Sequence, residues 1–193
     1  MFNEVYYKCL PRKVNKRGHY TLKTVQPEHI ERIRLWRNQQ INVLRQSKPI
    51  SKKEQIEYYE EYVWSELTSH TPSQILLSYK YKKKLIGYGG LVNISWQDKM
   101  AEMSFLINGS RHHNKEIYHR DMTNFIYLIK NLCFDQLSFN RLFTETYEFR
   151  HFHIEILNEN EFREESRVRR HSCIENKYHD LILHSIIRND FAQ

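Results

Sequence analysis

Residues 85–107 read LIGYGGLVNISWQDKMAEMSFLI: a glycine-broken strand, a short polar turn, then a second apolar strand. Glycine disfavours strand structure, so Gly87, Gly89 and Gly90 imply a bulge or a place where another backbone comes close. Met100–Ile107 is apolar enough to be a central strand. A basic loop and a long helical pattern follow. A strand running into a helix N-terminus sets aligned N–H groups beside a dipole that favours anions, an arrangement suited to a phosphorylated ligand.

Outward from this stretch the chain alternates between the two periods. His19–Val25 (HYTLKTV) reads as a strand, and Pro27 and Glu28 open a helix whose apolar stripe is Ile30, Ile33, Leu35 and Trp36. Ser51 with Glu54 forms a capping box for a second helix running to about Leu67. Gln74–Tyr81 and Leu85–Ile94 flank Lys82-Lys83-Lys84 as a hairpin. Asn108–His119 is expected to be a loop. Met122, Phe125, Ile126, Ile129, Leu132, Cys133 and Leu137 then recur at helical spacing. Arg141–Tyr147 is a strand, His151–Glu159 a short helix, and 162–171 with 178–188 a closing hairpin. The fold class that follows is one mixed α/β (α+β) domain: a twisted, mostly antiparallel sheet with helices on both faces. Residues 1–17 are set apart as a basic N-terminal extension, and the domain is expected over 18–190.

The bulk properties exclude more than they select. At 193 residues, with 40% hydrophobic and 13% aromatic residues, the chain is long and apolar enough to bury one sizeable core. A net charge of +7 suits nucleic acid, an anionic membrane or a polyphosphate ligand without choosing among them. No known nucleic-acid module and no aromatic-interleaved basic stripe is present, which disfavours nucleic acid. No apolar run approaches the ~20 residues of a membrane span. Cys9, Cys133 and Cys173 match no metal spacing and read as reduced thiols of a cytoplasmic protein. His112-His113 and His151/His153 lack the i, i+4 spacing of a helical metal pair, so no metal is expected.

The order of elements, with Trp36-Arg37-Asn38, Ile86-Gly87-Tyr88-Gly89, Ala101-Glu102-Met103-Ser104, Leu132-Cys133-Phe134, Phe139-Asn140-Arg141-Leu142 and Asn160-Glu161-Phe162-Arg163 at their places, resembles the GNAT superfamily of acyl-CoA-dependent N-acyltransferases. The resemblance spans about residues 19–188. Two subgroups look nearest: acetyltransferases of ribosomal-protein N-termini, and acetyltransferases of amino sugars linked to nucleotides. The Trp-Arg-Asn start, the loop 39–50 and the turn 93–96 look more like the sugar group.

The resemblance implies acetyl-CoA as co-substrate. The backbone of Ser104, Phe105, Leu106 and Ile107 would pair with its pantetheine arm, and one N–H would polarise the thioester carbonyl. The loop and helix start at 110–121 would hold the pyrophosphate. Two departures stand out. The family loop is rich in glycine, whereas 111–120 (RHHNKEIYHR) has none, so Arg111, Lys115 and Arg120 would supply side-chain charge instead. The tyrosine that protonates the leaving thiolate in many relatives falls at Leu157, which has no proton to give.

Transfer to an amine needs a base. Glu102 holds a position where relatives often have glutamate, and Glu145 and Glu148 lie on and just after the strand at 141–147. Each of these also reads as an ordinary ion-pairing residue. Arg37, Asn38, Asn93, Trp96 and Tyr147 are the candidate acceptor contacts, and basic residues there would suit a negatively charged nucleotide-sugar. The leading expectation is therefore an acetyl-CoA-dependent N-acetyltransferase of a small amine, most specifically a nucleotide-linked amino sugar of surface-glycan synthesis. The alternatives are a peptide N-terminal acetyltransferase, or a member that binds a CoA-like or nucleic-acid ligand without turnover. A second copy of the chain is a candidate partner.

Overall fold

A computed structural model describes residues 5–44 and 46–191 of the chain. Eight strands form one sheet in the order β1-β2-β3-β4-β5-β6-β8-β7. They are β1 (Val14–Arg17), β2 (Tyr20–Thr24), β3 (Ile75–Tyr81), β4 (Lys84–Ser95), β5 (Met100–Ile107), β6 (Arg141–Tyr147), β7 (Arg163–Ile174) and β8 (Lys177–Ile187). Every neighbouring pair is antiparallel except β5 and β6, which run parallel. The helices are α1 (Ile30–Gln39), α2 (Lys52–Tyr58), α3 (Gly109–His112), α4 (Lys115–Lys130), α5 (His151–Glu159) and α6 (Arg188–Phe191). The mixed α/β sheet expected from the sequence is the observed architecture.

Local chemistry explains most boundaries. Ser51 Oγ accepts from the Glu54 N–H at 3.2 Å while Glu54 Oε2 accepts from the Ser51 N–H at 2.7 Å, so the capping box forms and α2 starts there. Wider π turns, Tyr59–Trp64 and Asn131–Gln136, continue α2 and α4. Two expectations change. Residues ahead of Gly18, set apart on charge, join the sheet: Tyr7 and Leu10 are buried, the Tyr7 hydroxyl accepts from the Leu76 N–H, and β1 pairs with β2. Residues 1–4 of that extension lie outside the described residues. The segment 108–119, expected as loop, is largely helical, because Asn108 caps α3 and Asn114 caps α4 through the Ser110 and Ile117 N–H groups.

The sheet divides the helices between its faces. Tyr88 of β4 donates its face to α1, where its hydroxyl meets Arg37, while Tyr79 of β3 lies on the opposite face and bonds the Asp121 carbonyl of α4. Register then fixes the rest, since side chains alternate along a strand. Leu76, Tyr88, Val92, Glu102, Ser104, Phe143 and Glu145 share the α1–α2 face; Tyr79, Gly89, Met103, Phe105 and Thr144 share the α4–α5 face.

The glycines of β4 allow close approach, as the sequence suggested. A Cβ on Gly89 would stand 2.1 Å from the Ser104 carbonyl oxygen and 2.8 Å from Phe125 Cζ. Gly90, at φ +150°, would meet the Ile75 carbonyl oxygen at 1.9 Å. Gly109 has nothing within 4 Å of such a Cβ. Gly89→Ala should therefore destabilise by roughly 3 kcal/mol, since overpacking against backbone cannot relax by a rotamer change. Gly109→Ala should stay within about 0.5 kcal/mol of the parent. Paired urea-unfolding curves check both, and equal midpoints for the two variants would contradict the packing described.

The core also holds neutral histidines. Burial pushes His29 down to about 4 and His153 well below the ordinary 6.5; His184 is lowered by the same cause. The unfolded chain therefore binds more protons than the folded one below pH 6.5, and this part of the stability is complete above that pH and is lost as pH falls toward 4. Glu54 and Glu165, held near 2, add to the loss only below about 4.5. Melting temperature should decline between pH 6.5 and 4.5, and His29→Asn should flatten part of that slope. A flat profile over this window counts against the assignment.

Candidate active site

The parallel pair at the centre of the sheet is short. β5 and β6 register only over Met100↔Arg141, Ala101↔Leu142 and Glu102↔Phe143, although both strands continue for several residues. Beyond that point they diverge. By strand alternation the N–H and C=O groups of Met103, Phe105 and Ile107 turn toward the gap, while those of Ser104 and Leu106 turn toward β4. Thr144 Oγ1 donates to the Met103 carbonyl at 3.2 Å, and Gln40 Nε2 donates to the Ile107 carbonyl at 2.9 Å. Phe105 thus occupies the middle of an open strand edge.

A cavity of about 190 Å³ fills the gap and reaches both faces of the sheet. Of the residues singled out from sequence, it brings together Glu102, Ser104, Phe105, Leu106, Ile107, Glu145 and Arg37. The carboxylates of Glu102 and Glu145 belong to the α1–α2 face. Glu102 is buried, and Oε2 accepts from Asn93 Nδ2 at 2.6 Å, so Asn93 reaches the site through this carboxylate.

On the α4–α5 face the cavity meets Tyr118, His112 and Arg150, none of them singled out from sequence. The Tyr118 hydroxyl lies 3.0 Å from His153 Nδ1 and 3.2 Å from Arg150 Nη2. Burial raises its pKa, and the Arg150 charge opposes that rise. His153, neutral for the reason given above, packs tilted against Phe105 with ring centroids 4.5 Å apart. Tyr118 falls at i−4 to Met122 on the inward stripe of α4, so its spacing reads as core; only the packing of α5 against it shows a polar end. Leu157, where relatives often have the acid, is fully buried.

The remaining candidates lie elsewhere. Asn38 Oδ1 accepts from the Ile50 N–H at 2.8 Å and Nδ2 donates to the Ile50 carbonyl, so its amide fastens the α1–α2 connection. Trp96 donates its indole N–H to the Pro72 carbonyl at 2.8 Å and meets Phe139 edge-on, away from the cavity. Glu148 bonds His179 Nδ1 at 2.8 Å. Tyr147 stacks on Phe149 and lines a separate surface groove.

The cofactor loop also departs from expectation. In α3 the N–H groups of Arg111 and His112 bond the Asn108 carbonyl, and that of His113 bonds Gly109. These donors are satisfied by carbonyls of the same turn instead of pointing outward. Arg111 is taken as well: Nε and Nη2 bind the two oxygens of fully buried Asp121 at 2.5 and 2.9 Å, and Tyr20 donates to the same carboxylate. Arg120 bonds the Tyr20 hydroxyl at 3.2 Å. Lys115, exposed in the first turn of α4, adds positive charge where the dipole of a 16-residue helix already favours anions. Among the described residues no group of three or more His, Cys, Asp or Glu could hold a metal ion, and no helix is long and apolar enough to cross a membrane.

Comparison with known proteins agrees with this geometry. Residues 22–183 match the model of the acetyltransferase (GNAT) domain. No curated protein sequence matches the chain. The fold is similar to spermidine N-acetyltransferase from Vibrio cholerae in complex with CoA and spermine, at 16% identity and TM-score 0.77, covering 92% of this chain and 100% of that one. It is also similar to a dodecameric form of that enzyme, at 17% identity and TM-score 0.74 over 91% and 97% of the two chains. A third structure, described as a putative acetyltransferase, shares 11% identity at TM-score 0.71 over 94% and 89%. With a divided parallel strand pair at its centre and a family match over most of its length, the chain belongs to the GNAT acetyltransferases.

Proposed function

We propose that the protein transfers the acetyl group of acetyl-CoA to the amine of a small acceptor. The divergence of β5 from β6, which leaves the Phe105 backbone on an open edge inside a cavity spanning the sheet, carries this reading. Acetyl-CoA would supply the activated acyl group. An amide-rich chain such as its pantetheine arm is suited to pair with an exposed strand edge, much as an added strand would. The open N–H of Phe105 is placed to polarise a carbonyl, and such a donor counts most where charge develops in the transition state.

The two faces divide the proton chemistry. Glu102, with Glu145 nearby on the same face, would accept the proton of the attacking amine, directly or through water. On the opposite face Tyr118 would protonate the departing thiolate. Arg150 beside its oxygen stabilises the phenolate that results, and His153 orients the hydroxyl. The pyrophosphate would rest on the α4 start and Lys115 more than on the loop, whose own N–H groups are spent.

For the acceptor, a nucleotide-linked amino sugar is the finer expectation, and a peptide N-terminus the alternative. A polyamine enters as a third candidate through the named activity of the Vibrio cholerae enzyme. The closed helical turn at 109–112 favours a second reading, a member that holds the cofactor weakly and does not turn over.

Thermal melts with acetyl-CoA and thiol-release assays over an amine panel separate these readings. At a hundredfold excess over Kd, acetyl-CoA should stabilise the protein by about 2.7 kcal/mol. Glu102→Gln and Tyr118→Phe should each lower kcat about 100-fold while the acetyl-CoA-induced stabilisation persists. Absence of both stabilisation and thiol release sinks the proposal; stabilisation without release for any amine supports the second reading.

A further inference from the structure

We propose that the acceptor carries an anionic group, a carboxylate or a phosphate, and that Arg37 receives it while the acceptor's apolar body fills the neighbouring tyrosine-walled chamber. This rests on the acetyltransferase reading above and adds the chemical class of the substrate.

A second cavity, of about 360 Å³, lies on the α1–α2 face beside the gap. Its walls are Tyr58, Tyr59, Tyr88, Ile50 and Leu76, and it adjoins the first cavity at Arg37, Val92 and Ser104. The volume equals about twelve waters, room for the body of an amino acid or of a single amino sugar. Flat tyrosine faces suit a planar or apolar body.

Arg37 stands where the two cavities meet. Nη1 donates to the Tyr88 hydroxyl at 2.7 Å and Nε to Gln46 Oε1 at 3.1 Å. Both partners are neutral, and no carboxylate pairs with this guanidinium among the described residues. Among the described residues Glu54 is the acid lining the chamber, and it is already engaged: it binds Lys48 Nζ at 3.0 Å and the Ser51 N–H. A half-buried guanidinium keeps its charge; the Tyr88 and Gln46 oxygens meet two of its N–H groups, and an anion would add the charge pairing that neither neutral partner supplies. Arginine's planar fork pairs a carboxylate or a phosphate equally well.

The other charges complete the pattern. Glu102 and Glu145 line the first cavity on the same face of the sheet, so the carboxylates stand on the gap side of Arg37 and the tyrosine-walled chamber on the other. A polyamine, with cations along its whole length, would set like charge against Arg37.

Initial rates with acetyl-CoA test this on matched acceptors: an apolar α-amino acid against its amide, an amino-sugar nucleotide against the free amino sugar, and spermidine. The anionic member of at least one pair should win by about 10- to 100-fold in kcat/KM, mainly through KM. Arg37→Gln should collapse that ratio toward one, and Arg37→Lys should restore part of it. The first pair reports carboxylate and the second phosphate. Equal rates within both pairs, or a preference for spermidine, would overturn the anion assignment and leave acetyl transfer standing. No turnover of any acceptor by protein that acetyl-CoA stabilises would overturn both. Should Arg37→Gln fail to fold, the wild-type ratios and Arg37→Lys still decide.

Discussion

Buried backbone groups must find partners, and at the centre of this sheet two neighbouring strands stop providing them for each other. β5 pairs with β4 along its length but with β6 over only three residues. Thr144 and Gln40 satisfy two of the carbonyls beyond the divergence, and Phe105 is left on the open edge. The cavity, its access to both faces and the grouping of two carboxylates opposite a tyrosine all follow from that divergence. It is sustained from the other side: glycines at 87, 89 and 90 draw β4 close to β3 and β5, so β5 is held firmly along one edge while the other stays open.

Charge around the gap is arranged by the sheet's two faces. Period-two alternation sends Glu102 and Glu145 toward α1 and α2, and sends the Phe105 ring and Thr144 toward α4 and α5. Two carboxylates and a tyrosine hydroxyl therefore lie on opposite faces of the sheet, with the strand edge between them. The basic loop after β5 plays a smaller part than its composition suggests. Its arginine closes on buried Asp121, and breaking such a pair costs about 3–5 kcal/mol, so that charge serves the fold before any ligand.

Local signals carried far in this sequence. The strands at 100–107 and 141–147 and the helix at 151–159 stand at the limits expected from their periodicity, and the Ser51/Glu54 box caps its helix. Within the site, Glu102, Glu145 and the residues from Ser104 to Ile107 line the cavity from strands legible in the sequence, and Arg37 lines it from the end of α1, where the family resemblance pointed. The helical turn at 109–112 was hidden, since its caps are asparagines that read equally well as loop residues.

Sequence by itself determined the order of elements from β2 to β8 apart from the helical turn at 109–112, a close backbone approach at the β4 glycines, and membership in a fold whose centre is a divided strand pair. These depend on spacing and on residues close in the chain. Tertiary structure alone decided which polar side chains remain available for chemistry. Arg111 is withdrawn by Asp121, ten residues on; Trp96 is tied to Pro72; and Tyr118 acquires its partners from α5, more than thirty residues away. The physical reason is that a side chain's chemistry depends on what neutralises or buries it, and those neighbours arrive from distant parts of the chain only when the sheet and its two helical layers pack together.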